Sequence, residues 1–268
     1  MKDVKFIETI LRYFAQHGRH DLEWRTHISP YRILVSEIML QQTQVPRVRE
    51  KFRLFLRLFP SFRALAIASQ ADVLRAWQGL GYNRRALALY RCAQFVTRNY
   101  HGRLPRDYES LLRLPGIGPY TAGAIMAFAF DDKVPLIETN IRRVYLHHYF
   151  PGSASVPDNE LMPLVTRHLE HVTSARQWYG ALMDYGTYLT QAMPNANRRS
   201  KHYVRQAVFE GSFRQLRGRI VKMLAGHKKV KLETLLIEMA DDRTHEVLQR
   251  LHQEGILALT KKTAMLAS

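Results

Sequence analysis

The chain has 268 residues, 46% hydrophobic and 24% charged, enough apolar material for a packed core in about two domains; collagen-like, mucin-like and wholly disordered chains are excluded. Forty Lys and Arg against 23 Asp and Glu leave a net charge of +17, which points to nucleic acid or another anionic surface as partner. With one cysteine, Cys92, and no run near ~18 apolar residues, an internal disulfide and a four-cysteine metal cluster are excluded and no membrane span is expected.

Helical periodicity dominates. Phe6, Ile7, Ile10, Leu11 and Phe14 give residues 4–17 one apolar face. Residues 20–30 read as a loop. Residues 31–44 read as a second helix, with Ile33, Leu34, Ile38 and Leu40 inward. A third helix, 47–59, stops at Pro60. Ser69 can cap a fourth, which ends near Gly79-Leu-Gly81. Helices over 83–100 and 108–112 follow, separated by Gly102 and Pro105. Cys92 falls in the first of these and reads as a small core residue. No alternating stretch argues for a sheet before residue 255. The polar run Pro194-Asn-Ala-Asn-Arg-Arg-Ser200 marks a boundary. Beyond it, 214–224, 232–239 and 245–253 read as helices. Residues 256–266 read as a two-stranded ribbon turning at Lys261-Lys262. Three helices and a ribbon fit a winged helix, with a plain helical cap as the alternative. Between Ala196 and Lys231 stand eleven Lys and Arg and one acid, Glu210. The first eighteen residues lack an uninterrupted apolar core and a small-residue cleavage site, so no secretory leader is expected.

Two motifs carry chemistry on their own residues. In Leu114-Pro-Gly-Ile-Gly-Pro-Tyr-Thr-Ala-Gly123, Gly116 and Gly118 allow a tight turn into the apolar helix 121–130. Amides at such a helix start favour an anion, here a DNA phosphate. Glu37 lies among apolar residues, between Val35 and Ile38. A desolvated carboxyl there suits general acid catalysis. On the spacing alone, an exposed helix carboxylate is the reading to prefer.

The glycine string matches the helix–hairpin–helix element of base-excision DNA glycosylases. Trp24-Arg25, Pro30-Tyr31 and Ser36-Glu-Ile-Met-Leu-Gln-Gln-Thr-Gln44 closely resemble the signature of MutY-type adenine DNA glycosylases. Trp77-Gln-Gly-Leu-Gly-Tyr82, Val134-Pro-Leu-Ile-Glu-Thr-Asn-Ile-Arg-Arg-Val144 and Met183-Asp-Tyr-Gly186 are similar to later blocks, in family order. The resemblance implies a mainly α, helix–hairpin–helix glycosylase fold of two helical domains with a small winged-helix-like C-terminal unit. One domain is expected over 1–26 plus 134–196, carrying the second catalytic carboxylate. The other spans 27–133 and holds the hairpin. A basic linker and the winged-helix-like unit fill 197–268.

The resemblance also assigns roles. Glu37 delivers a proton to the purine. Glu138 stands where the family has an aspartate facing the sugar, and a helix-capping duty is the alternative. Tyr120 replaces the lysine of bifunctional relatives, and a phenol cannot form a Schiff base, so a monofunctional enzyme is expected. Asn140 matches the asparagine beside the catalytic acid. Trp24, Arg25, Gln41, Gln42 and Tyr82 are placed in the base pocket or the base stack, where a flipped base must be replaced. Gly116, Gly118 and Thr121 are expected at phosphate, as are Arg214, Arg217 and Arg219. The implied partner is double-stranded DNA with a mismatched or damaged pair, bound by a monomer. The implied location is cytoplasmic, at the nucleoid, in a prokaryote.

Three departures stand out. The family's four cysteines are absent, so no iron–sulfur cluster or other metal is expected, while a monovalent ion at the hairpin stays open. The Nudix-like domain is missing. Trp178-Tyr179-Gly180 replaces the usual Phe-Asn-Gln/Glu, and Gly180 removes a side chain expected near the flipped adenine. Two other activities therefore remain beside adenine release: removal of thymine or uracil opposite guanine, and an inactive DNA-binding module.

Overall fold

The structure, a computed structural model, describes residues 2–205 and 208–267. In chain order these form α1 (Lys2–His17), α2 (Glu23–Thr26), α3 (Pro30–Leu40), α4 (Val45–Leu58), α5 (Phe62–Ala66), α6 (Gln70–Ala76), α7 (Arg84–Asn99) and α8 (Tyr108–Leu112). There follow α9 (Pro119–Phe130), α10 (Thr139–Tyr149), α11 (Asp158–Glu170), α12 (Ala175–Ala192) and a 3-10 turn, Ala196–Arg199. The C-terminal part holds α13 (Phe213–Ala225), β1 (Val230–Lys231), α14 (Leu232–Met239), α15 (Thr244–Gln253), β2 (Leu257–Leu259) and β3 (Thr263–Leu266).

The chain divides into two compact units. The first takes Met1–Leu34, Pro105–Arg113 and Ile117–Arg205; the second takes Val35–Leu104, Leu114–Gly116 and Gln206–Ser268. These bounds differ from the sequence division: residues 27–34, 105–113, which hold α8, and 197–205 group with the first unit, and two larger shifts concern α9 and the C-terminal residues. The helix α9 groups with the first unit, because it is apolar on every face and packs into that core. The C-terminal residues group with 35–104, because ion pairs and backbone contacts tie them to α6 and α7.

In the first unit, α1 buries Phe6, Ile10 and Phe14 against α12. Trp178 and Tyr179 of α12 are fully buried. Asp131, in a left-handed conformation after α9, caps α12 by accepting from the Ser174 hydroxyl at 2.9 Å and the Arg176 amide at 2.8 Å. In the second unit, α4 supplies Val48, Phe52 and Phe55, and α7 supplies Leu89, Cys92 and Val96. Burial pushes the Cys92 thiol up to about 12, as befits an unreactive core residue.

The C-terminal part has the winged-helix arrangement. Its sheet runs β1-β3-β2, with Val230 opposite Ala264 and Leu257 opposite Leu266. Thr260 and Thr263 close the wing around Lys261 and Lys262, the Thr260 amide donating to the Thr263 carbonyl at 2.9 Å. The strand β1 corrects the expectation of no sheet before residue 255. Two residues are too few to show an alternating pattern. Similarly, α3 stops at Leu40 rather than Gln44, because Gln42 takes a left-handed φ of 54°. The expected loop 20–30 contains the single turn α2.

Candidate active site

In the first unit the site is built around Glu138. The segment leading to it is held by Tyr179, whose hydroxyl donates to the Val134 carbonyl at 2.9 Å and accepts from the Leu136 amide at 3.1 Å. Glu138 then caps α10. Its Oε1 accepts from the Asn140 amide at 2.7 Å and the Ile141 amide at 2.8 Å. The extra methylene relative to aspartate is spent on this reach back to its own helix. The other oxygen, Oε2, faces the Asn140 side-chain amide at 3.4 Å. The capping alternative is therefore real geometry, and it fixes the carboxyl's direction.

The neighbours of Glu138 are fixed in turn. Arg143 donates from Nη1 to Asn140 Oδ1 at 2.6 Å and to the Gly186 carbonyl at 2.8 Å. A side chain at Gly186 is impossible without movement, since a Cβ would lie 2.5 Å from the Asn140 carbonyl oxygen. Asn197 donates to the Thr139 carbonyl at 3.0 Å, pinning the first residue of α10. The loop that carries Asn197 is closed by bonds from the Val156 amide to Arg199 and from the Lys201 amide to Val156. Protein crowds the half-buried Glu138 closely enough that desolvation pushes its carboxyl above the usual range. The amides of Ile141 and Asn140 and the charges of Arg143 and Arg142 oppose that rise.

Arg25, expected in the base pocket or base stack, is bound within this unit to α12. Its guanidinium forks onto Asp184, Nη1 to Oδ2 at 2.8 Å and Nη2 to Oδ1 at 3.1 Å, and Nη2 reaches the Gly180 carbonyl at 3.4 Å. Arg19 binds the same carboxylate. Burial alone would raise Asp184, yet the bonds and charges of Arg25 and Arg19 hold it below the usual range. A Cβ at Gly180 would meet Phe14 and Arg25 at 3.6 and 3.7 Å, ordinary contact distances, so this packing does not itself demand a glycine. Trp24, on α2, is buried.

At the hairpin, Gly116 takes a φ of 75°, and a Cβ there would lie 2.5 Å from Ala88 Cβ on α7. The left-handed backbone and the close packing on α7 both require a glycine here. Gly118 caps α9 with open space around it. Thr121 is buried, so the anion donors this turn can offer are backbone amides, not its hydroxyl. Tyr120 is partly buried against the first unit's core.

In the second unit Glu37 is 6% exposed, between the buried Ser36 and Ile38. This is the desolvated setting the apolar string implied. Two turns of this unit carry the residues expected in the base stack. Gln42 and Tyr82 both adopt left-handed φ, 54° and 46°, unusual outside glycine. One arginine missed from the sequence holds both turns. Arg85 donates from Nη1 to the carbonyls of Ile38 at 2.8 Å, Met39 at 3.0 Å and Gln41, closing the end of α3. From Nη2 it reaches Leu80 at 2.9 Å and Gly81 at 3.2 Å. Its guanidinium lies 5.4 Å from the Tyr82 ring centre and 5.6 Å from Trp77. Burial brings it down to about 10.

The three arginines of α13 are engaged within the protein. Arg214 donates to the Tyr82 hydroxyl at 2.8 Å. Arg217 is paired with Glu254, which also takes Arg84 at 2.7 Å. Arg219 donates to the Glu238 carbonyl at 3.0 Å. The fork of Arg217, expected at phosphate, is taken up by its ion pair with Glu254. Lys228, Lys229, Lys231, Lys261 and Lys262 are exposed instead.

Residues 35–164 match the family described as HhH-GPD superfamily base excision DNA repair protein. A Mycolicibacterium smegmatis protein named adenine DNA glycosylase is 36% identical over 224 residues, 78% of this chain and 76% of that one. One of the same name from Mycobacterium tuberculosis is 38% identical over 238 residues, 81% and 78% of the two chains. Among solved structures, a thermostable thymine-DNA glycosylase superposes with a TM-score of 0.60 at 28% identity, covering 69% of this chain and 86% of its own.

Proposed function

The chain belongs to the HhH-GPD superfamily of base excision DNA repair proteins, and from that premise we propose that it is a monofunctional DNA N-glycosylase releasing adenine mispaired with guanine or oxidised guanine. The observation that carries the reading is the carboxyl of Glu138, held by its own helix and by Asn140. The adenine preference rests on the two relatives of that name.

The chemistry follows from what each group can do. The bond between the sugar and the purine nitrogen breaks, the base leaves with the electron pair, and the sugar becomes cation-like. Glu37 supplies the proton that makes the purine a leaving group. Glu138, ionised, faces the cation and lowers its energy. Water completes the sugar. Tyr120 offers no amine, so no covalent Schiff base forms and the backbone stays intact. Gln42 and Tyr82, raised on left-handed turns, fill the stack that the flipped base leaves. Exposed lysines of the C-terminal part bind the duplex backbone. The enzyme works without an iron–sulfur cluster: the loop after α12 is closed by its own backbone bonds and by Asn197.

The test is a set of duplexes holding A opposite oxidised guanine, A:G, T:G, U:G and undamaged pairs, cleaved with alkali after incubation. Adenine release from the first two, and none from the others, is expected. Release of thymine or uracil would favour the second reading, to which the likeness to a thymine-DNA glycosylase lends weight. Silence on every duplex would leave a DNA-binding module.

A further inference from the structure

Tyr82 is held in a strained backbone state by groups from three places in the second unit. Its φ of 46° follows two glycines, Gly79 and Gly81, that are also left-handed. A non-glycine residue in that region is strained and persists only where the surroundings fix it. The turn beneath the ring is fixed by Arg85 and by Trp77, whose indole donates to the Gly81 carbonyl at 3.1 Å. Those contacts fix the backbone. The phenol hydroxyl accepts from Arg214, which comes from the first turn of α13, 132 residues further along, and whose guanidinium also lies 5.7 Å from the ring centre. The Arg214 guanidinium is itself backed by the Phe209 ring at 5.2 Å. Close by, Arg84 and Arg217 share Glu254, so the start of α7 and the end of α15 are clamped together.

We propose that Arg214 is a positioning residue for Tyr82, so that the C-terminal winged-helix part takes a share in probing the base stack. This rests on the glycosylase reading above, in which Tyr82 enters the duplex. A half-buried aromatic ring on a turn has two rotatable side-chain bonds. A charged donor on its hydroxyl selects one direction, and a wedge already pointed outward loses less freedom on entering DNA. Hydrogen bonds to charged groups are the stronger kind, so removing this one costs about tenfold in the step that needs the wedge. The alternative is the plain one: Arg214 touches a phosphate and Tyr82 is indifferent to it.

The experiment uses the full chain, with Arg214→Ala, Tyr82→Phe and the double variant. Duplexes carry 2-aminopurine beside the A:G pair, whose fluorescence rises when the neighbouring stack opens. Adenine release is read in single turnovers and duplex affinity across salt. Each single variant should lower both stack opening and release about tenfold. The double should fall no further than Arg214→Ala alone, about tenfold rather than a hundredfold, because that variant already removes the hydrogen bond that Tyr82→Phe breaks. The slope of log affinity against log salt should stay that of the parent. Additive effects, or a salt slope flattened by about 0.9 in Arg214→Ala with stack opening intact, would overturn the proposal in favour of a phosphate contact. Thermal unfolding of each variant separates loss of fold from loss of positioning, since Tyr82→Phe removes one oxygen and leaves the ring. If the parent opens the stack but releases no adenine, the glycosylase reading fails while the fluorescence still decides the role of Arg214.

Discussion

Glu138 stands where an aspartate was expected, and its longer side chain bends back to cap α10. Glu138→Gln keeps an oxygen for that cap but removes the charge. Base release should then fall about 10²-fold or more in single turnovers, the scale of a missing preorganised charge. The pH dependence has a definite sign. Burial raises the folded carboxyl above its unfolded value, so the folded state binds more protons and stability falls as pH rises through that interval. The Gln variant escapes this loss and should unfold at pH 7 no lower than the parent. In the parent, release should slow as pH drops through the raised value, because the carboxylate must be ionised. Parent-like release by Glu138→Gln would reduce the residue to a cap. The burial of Glu37 was legible in its apolar string, and the capping duty of Glu138 in its place ahead of α10. Arg85 was not: at a helix start, in Asn83-Arg84-Arg85, it looks like a solvated arginine, and only the folded approach of the end of α3 gives it carbonyls to bind.

Among the elements, α12 shows what a helical pattern can and cannot say. Asp184, 4% exposed on this helix, needs a basic partner that the sequence around it does not name. Arg25 and Arg19 supply it. Asp184→Asn leaves Arg25 without its counter-charge and should cost about 3–5 kcal/mol in urea unfolding. The pair's contribution is present above the ordinary carboxylate range and disappears as pH falls through the lowered folded value. An Asn variant as stable as the parent would mean the ion pair is solvated and unimportant. The loop between α12 and α13 gives a second test. Bonds to Val156 and Thr139 hold its first part, residues 197–201, and the chain has a single cysteine, so iron content should be at trace level and chelators should leave the unfolding temperature unchanged. Stoichiometric iron would contradict this. The two-residue strand β1 was invisible in the sequence for want of length, whereas the ribbon around Lys261 and Lys262 was long enough to read.

Across the whole molecule, the charge of +17 is the property most directly tied to DNA. Composition locates the basic excess but does not distinguish arginines already paired from cations left at the surface. Arg217 is paired with Glu254, and Lys228, Lys229 and Lys231 are exposed. Replacing the three lysines by Ala should flatten the salt dependence of duplex affinity by about 0.9 for each phosphate no longer neutralised. Arg217→Ala should leave that slope alone and lower stability instead. Equal slopes in parent and triple variant would place the lysines away from DNA. Catalysis by proton delivery from Glu37 is the claim on which the rest depends. It is tested most directly by single-turnover adenine release from a duplex with A opposite oxidised guanine, comparing the parent with Glu37→Gln. The expected result is release by the parent, and a drop of about 10²–10⁴-fold in the variant with duplex binding retained. Release by Glu37→Gln at close to the parent rate would contradict it.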